Sequence, residues 1–327
     1  MKKFINDPND FVYEGLMGLA AAHASIVALN AEPLYLTRRA PRPGKVAVIS
    51  GGGSGHEPLH AGFVGVGMLD AACPGQVFTS PTPNQLLAAA KAVGGEPGVL
   101  LVLKNYAGDV MNFQMAVEMM DMEVATVLVD DDVSVGSEGP ATGRRGIAGA
   151  LVVEKIVGAA AERGDALEAC KRLGDRVNAR TASMGVALTS CTVPEAGVPT
   201  FEIGDAEIEF GVGIHGEPGR RRALLQPADT LVAEMLEAIL RDLAPAAGQE
   251  VLLHVNGLGG TPLMELYLLY RAASEHLARR GLSVARSLVG NYTTSLETAG
   301  ASITVTALDD ELKALWDAPV CTPALRW

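Results

Sequence analysis

The chain is short of aromatic residues, of positive charge, of clustered cysteine and of long apolar runs, and each shortage removes a class of function. Lysine and arginine number 26 against 38 aspartates and glutamates, a formal charge of −12. Nucleic acid and anionic membrane surfaces are bound through clustered basic side chains, so both are excluded as partners. The acidity is read as a solubility device. Cys73, Cys170, Cys191 and Cys321 lie far apart, with no CxxC pair. That spacing fits reduced thiols and neither a disulfide framework nor a zinc site. No stretch reaches the roughly 20 uninterrupted apolar residues that span a bilayer. The opening MKKFINDPNDF has two lysines but no apolar run after them, so it is not read as a secretory signal. The expectation is a soluble cytoplasmic protein.

What is present is alanine, glycine and valine, with only 5% aromatic residues over 327 positions. Small residues let helices pack closely on sheets, which points to an α/β fold. At roughly 100–200 residues per domain the length predicts two domains. Strands are predicted at 45–50 (ending in Gly51-Gly52-Gly53), 98–104 and 123–129, alternating with helices at 84–93 (Asn84 as N-cap) and from about Val110. Two helices, 144–162 and 165–178, precede a strand near 182–190 and a change of composition at CTVPEAGVP. A hairpin is predicted next, TFEI and AEIEFGVGIH about a Gly204-Asp205 turn. Helices at 228–242 and 262–280, a strand at 250–255, two further strands and a short terminal helix complete the chain. The boundary is placed near residue 180, giving domains 1–180 and 181–327. The first should hold a mostly parallel sheet and the second a mixed one. In such sheets ligands bind at the carboxyl ends of the strands, here carrying GGGSGH, KNYAGD and DDD.

Two histidines stand among glycines, His56 in GGGSGHEP and His215 in FGVGIHGEPG, each followed closely by Glu and Pro. Bordered by Gly213, Gly216 and Gly219, His215 reads as a ring whose neighbours have been cut away to admit a small molecule. Alternatively, both are glycine-rich turns whose histidines cap nearby backbone. GGGSGH fails both the GxGxxG fingerprint and Walker A, which weakens a nicotinamide dehydrogenase. Its glycines still allow backbone N–H groups to approach a ligand. Lys104 ends one strand and Asp109 follows five residues later, so both can face one crevice. Asp109 is also readable as the N-cap of its helix. The run Asp130-Asp131-Asp132 invites a metal, but three consecutive carboxylates do not converge on one ion, and a solvated strand end is preferred. Arg144 and Arg145, in a Gly-Arg-Arg-Gly helix start, would pair with it. Thr261 and Pro262 are read as N-cap and first residue of their helix.

Taken in order, GGGSGHEP, CPGQVFTSPTP, LKNYAGDVMNF, DDDVSV, GRRG and EFGVGIHGEPG resemble the dihydroxyacetone kinase K subunits, essentially end to end. The resemblance implies that His215 holds a ketose covalently as a hemiaminal. It implies that His56 and Asp109 assist deprotonation of the attacking hydroxyl, and that Gly53, Ser54, Gly55, His56, Lys104 and Asp109 bind substrate. It implies a homodimer and no metal or cofactor in this chain, with ADP or ATP and magnesium on a nucleotide-binding L subunit. GIHGEPG and ACPGQVFTSPTP look like the type that draws phosphate from the phosphotransferase system through a phosphocarrier M subunit. Thr298-Ala299-Gly300-Ala301 departs toward smaller residues, which, where that segment lines the site, would admit a larger ketose such as erythrulose. K-like relatives that bind the ketose and act in transcriptional control are the other alternative.

Overall fold

The structure, a computed structural model, describes residues 2–134, 143–217 and 219–327. The chain forms two compact units, each of discontinuous segments. The first comprises Met1–Val129, Ala150–Arg176 and Ala314–Trp327, and the second Asp130–Gly149 and Val177–Lys313. The chain therefore crosses between units near the expected residue 180, and also at 129, 149 and 313. Charged segments and terminal tails carry no periodicity that would announce the extra crossings.

The elements of the first unit begin with α1 (Phe11–Ala22), β1 (Val27–Ala31), β2 (Leu34–Arg38), β3 (Ala47–Ser54), β4 (Ala71–Val77) and α2 (Pro83–Val93). They continue with β5 (Val99–Lys104), α3 (Ala107–Glu118), β6 (Val124–Val129), α4 (Gly149–Arg163) and α5 (Leu167–Asn178). The sheet order is β1-β2-β4-β3-β5-β6. The pairs of β3 with β4, β3 with β5 and β5 with β6 are parallel, while the β1–β2 hairpin joins antiparallel at the edge. Leu86, Ala89, Phe113 and Ala116 bury the inner faces of α2 and α3 against Ile49 and Leu101. The apolar stripes of these helices are short, so burial on the sheet and not propensity holds them. The second helix of the unit begins at Pro83, with Thr82 as N-cap in a reciprocal capping box with Gln85. Asn84 is therefore not the cap; Pro83 takes the first helical position, where a missing N–H costs nothing.

The second unit contains β7 (Thr181–Ala187), β8 (Glu207–Phe210), β9 (Arg221–Leu224), α6 (Ala228–Leu243), β10 (Glu250–Gly257), α7 (Leu263–Arg279), β11 (Ser283–Gly290) and β12 (Gly300–Ala307), with α8 (Asp310–Asp317) after it. Its sheet order is β11-β10-β12-β7-β8-β9, parallel only between β10 and β11. Val232, Leu236 and Ile239 of α6 pack on Val255 and Ile303. The predicted α/β class, mostly parallel in one sheet and mixed in the other, is what is observed. The hairpin about Gly204-Asp205 is not: β8 pairs with β7 and β9, so His215 lies in the β8–β9 connection and TFEI is outside the sheet. Thr261 does not cap α7, whose N-cap is Pro262. The Thr261 hydroxyl instead bonds both backbone groups of Gly300, donating to O at 2.6 Å and accepting from N at 2.7 Å. Among the described residues no helix is long and apolar enough to cross a membrane.

Candidate active site

The first unit gathers its polar residues at the carboxyl ends of β3 and β5. The run Gly51-Gly52-Gly53-Ser54 was expected to be a loop, but it is the last half of β3, pairing with Cys73 to Val77 of β4. Glycine is required there by close approach. A Cβ on Gly51 would stand 2.5 Å from the Cys73 carbonyl oxygen, and one on Gly53 2.6 Å from the Thr79 nitrogen. At Gly52 the neighbours are the functional groups themselves. A Cβ would meet Lys104 Nζ at 2.4 Å, His60 Nε2 at 3.4 Å and Asp109 Oδ2 at 3.6 Å. The missing side chain thus leaves the space in which a lysine, a histidine and an aspartate converge.

Lys104, at the end of β5, is fully buried, and its Nζ lies 3.9 Å from Asp109 Oδ2. Burial pushes the Lys104 pKa down, and the negative charges of Asp109 and Glu154 oppose that shift. Asp109 is not the helix cap. The helix begins at Ala107 with Tyr106 as N-cap, so Asp109 sits in its first turn with a buried carboxylate. A negative charge there is favoured by the helix dipole. His56 is buried, its ring stacked on Phe78 with centroids 5.2 Å apart and planes inclined by 17°. Phe78 adopts a left-handed backbone with φ of 55°, a conformation uncommon for an aromatic residue and one that often marks functional sites. The Ser54 hydroxyl donates to the Gly75 carbonyl at 2.7 Å, and the Gly55 N–H to the Glu57 carboxylate at 3.0 Å. His60, which the sequence reading passed over, accepts a hydrogen bond from Lys104 Nζ at 2.7 Å.

In the second unit, His215 is half-buried in the β8–β9 connection. Its backbone N–H donates to Glu217 Oε2 at 2.8 Å. The glycines around it are needed for close packing of the loop. A Cβ on Gly213 would fall 1.8 Å from Glu217 Oε1, one on Gly216 2.7 Å from Thr200 Oγ1, and one on Gly219 2.5 Å from the Phe210 carbonyl. They let the loop fold tightly on its own sheet. Pro218, part of the motif, and Val135, the last residue of DDDVSV, lie outside the described residues.

The acidic run is a strut and not a solvated strand end. Asp131 and Asp132 are fully buried. Asp131 accepts the backbone N–H groups of Ile147 and Gly149, each at 2.7 Å. Burial raises its pKa to about 6. Arg145 donates to Asp132 Oδ2 at 2.8 Å, to the Gly211 carbonyl at 2.8 Å and to Glu217 Oε1 at 3.1 Å. Asp132 and Arg145 thus brace the loop that carries His215. Arg144 turns to Asp242 at 2.8 Å. The Gly-Arg-Arg-Gly segment precedes its helix, which starts at Gly149. Gly300 and Ala301 line an apolar cavity of about 290 Å³ with Val186, Leu188 and Leu268. Among the described residues no group of three or more His, Cys, Asp or Glu could hold a metal ion.

The Dak1 domain family matches residues 17–324. The chain is 48% identical to the PEP-dependent dihydroxyacetone kinase, dihydroxyacetone-binding subunit DhaK, of Escherichia coli, over 100% of this chain and 99% of that protein. It is 49% identical to the dihydroxyacetone-binding subunit DhaK of PTS-dependent dihydroxyacetone kinase 1 of Listeria innocua, over 95% of each chain. Among solved structures, the dihydroxyacetone kinase operon co-activator Dha-DhaQ superposes with a TM-score of 0.91 at 31% identity, over 98% of each chain.

Proposed function

From the premise that the chain belongs to the Dak1 domain family, as a relative of the dihydroxyacetone-binding kinase subunits, we propose that it binds dihydroxyacetone and presents a terminal hydroxyl for phosphorylation. The observation that carries the reading is the buried Lys104–Asp109 pair, 3.9 Å apart beside the space left by Gly52. A carboxylate beside an ammonium stays ionised and accepts a hydroxyl proton, while the ammonium neutralises charge on the oxygen that loses it.

His215 forms the covalent attachment. A neutral imidazole nitrogen adds to the ketose carbonyl carbon, the carbonyl electron pair moves to oxygen, and a proton passes from ring to oxygen, leaving a hemiaminal. Glycerol has no carbonyl and cannot form it, so the step selects ketoses over polyols. Asp109 then takes the proton of the terminal hydroxyl, with His56 assisting, as its oxygen attacks phosphorus and the bond from phosphorus to the donor breaks. Gly53, Ser54, Gly55 and Lys104 hold the ketose. The donor is a nucleotide on a separate L subunit with its magnesium, recharged through an M subunit, and the binding subunit works as a homodimer.

Reconstitution with a dihydroxyacetone kinase L subunit tests the reading. Formation of dihydroxyacetone phosphate supports it, and preference for erythrulose would revise the substrate. The likeness to the co-activator favours a second reading as a regulator. Absence of phosphorylation with any ketose would support that one instead.

A further inference from the structure

Lys104 is held from behind by a chain of buried groups that no substrate-facing role explains. His60 follows β3 and lies between Lys104 and α4. Its Nε2 is 2.7 Å from Lys104 Nζ. Its Nδ1 is 2.9 Å from Ser50 Oγ and in short contact with Glu154 Oε1. Ser50 uses its own proton to donate to the Val102 carbonyl at 2.8 Å, so toward His60 it can only accept. Nδ1 therefore carries the ring proton and Nε2 is left as a lone pair directed at the ammonium.

Lys104 and Glu154 are each 0% exposed and His60 5%. A carboxylate in such a place normally takes several backbone N–H groups, as Asp131 does. Among the described residues Glu154 takes none: its one hydrogen-bond partner there is His60, through Oε1, and Oε2 has no partner. A buried charge so poorly satisfied is costly unless another charge answers it. The charge that answers is Lys104, one imidazole away.

We infer that His60 and Glu154 are a positioning pair for Lys104, fixing the direction of its ammonium and holding it charged at the ketose-phosphorylating site. The inference rests on the functional reading above. Among the described residues, the groups acting on Lys104 are Asp109 from α3, Glu154 from α4 and His60 from the segment after β3. Burial and the Lys104 charge both push the His60 pKa down, which keeps the ring neutral and its Nε2 free to accept. Burial pushes Lys104 toward the neutral amine, and Glu154, with Asp109, opposes it. Removing the Glu154 charge leaves Asp109 alone to hold the proton on Lys104.

Glu154→Gln is the informative variant, because its amide oxygen still accepts from Nδ1–H while the charge is gone. Carbon-13 NMR of the Lys104 Cε, assigned with Lys104→Met, should show Lys104 titrating at lower pH than in the unaltered protein. Phosphorylation with the L subunit should lose about tenfold or more in kcat, equivalent to one such factor in transition-state stabilisation, with KM for dihydroxyacetone within about twofold. The high-pH limb of the rate profile should move down. In a Lys104→Met background Glu154→Gln should add nothing, since the pair acts only through Lys104. His60→Asn, which keeps a partner for Glu154 but loses Nε2, should reproduce the kcat loss. Unchanged titration and kcat, or a loss that persists without Lys104, overturns the inference. If the unaltered protein phosphorylates no ketose, the functional reading fails, while the Lys104 titration still decides the pairing.

Discussion

Glu217 accepts the backbone N–H of His215 at 2.8 Å, and Glu57 accepts that of Gly55 at 3.0 Å in the same way. Each glutamate folds back two residues along the chain, so the two similar segments, Gly55 to Glu57 and His215 to Glu217, share one carboxylate-to-backbone hydrogen bond. In the second, the carboxylate is also held by Arg145. Replacing Glu217 by Ala should free the His215 loop without touching either core. The expected outcome is a ketose adduct formed in lower yield, read by intact-protein mass spectrometry, with the melting temperature within a few degrees. An unchanged yield would show that Glu217 does not order His215.

Neighbouring glycines in β3 should respond differently to one added methyl. At Gly51 the methyl meets the Cys73 carbonyl at 2.5 Å, and backbone cannot step aside. Gly51→Ala should destabilise the first unit by about 1–3 kcal/mol, measured by urea unfolding. At Gly52 the methyl meets Lys104 Nζ, a side-chain end that can move only by leaving His60. Gly52→Ala should therefore lose activity by far more than stability. Equal stability losses at both positions would contradict this division.

Asp131→Asn keeps the shape of a side chain that accepts two backbone N–H groups, at Ile147 and Gly149. Asparagine has one acceptor oxygen and would turn an amide N–H₂ toward the other donor. The cost should be about 1–3 kcal/mol in unfolding free energy. A neutral result would mean that the strut accommodates an amide by rearranging.

Legibility in the sequence followed chemistry that is local. The strands at β5, β6 and β10 and the helices α6 and α7 were visible because their apolar periodicity is short-range. β4 was not, since Pro74 and Gly75 sit inside it, and both normally argue against a strand. The α2 cap was within reach: Thr82 and Gln85 have the T-x-x-Q spacing of a capping box. His56, Lys104 and Asp109 stood out by their motifs, and the structure places all three in the first unit. His60 did not, because what gives it meaning is Glu154, 94 residues away, and no local pattern signals such a contact. Asp131 and Asp132 were misjudged for the same reason. Their burial depends on backbone N–H groups and an arginine more than ten residues downstream.

Lys155 gives a pH signature of the C-terminal segment. Its side chain is buried, its Nζ donates to the Leu315 carbonyl at 2.7 Å, and it lies 5.7 Å from the centre of the Trp327 ring. Burial lowers its pKa from 10.5 to about 8. Between those values the unfolded chain holds the proton and the folded chain does not, so this residue's contribution to stability rises as pH rises. The rise is at most about 1.4 kcal/mol per pH unit. Urea unfolding at pH 7.5 to 10 should show that slope in the unaltered protein relative to Lys155→Met. A difference that is flat or falls with pH would contradict the assignment.

The attachment of the ketose to His215 is the central claim, and intact-protein mass spectrometry tests it most directly. The protein is incubated with dihydroxyacetone, erythrulose or glycerol, and the reversible adducts are read from native spectra recorded with the ketose still in excess. The account predicts an adduct with a ketose, none with glycerol, mapping to His215 and absent in His215→Ala. It also predicts that Asp109→Asn keeps the adduct while losing phosphorylation. An adduct of undiminished yield in His215→Ala, or none with either ketose in the unaltered protein, would contradict it.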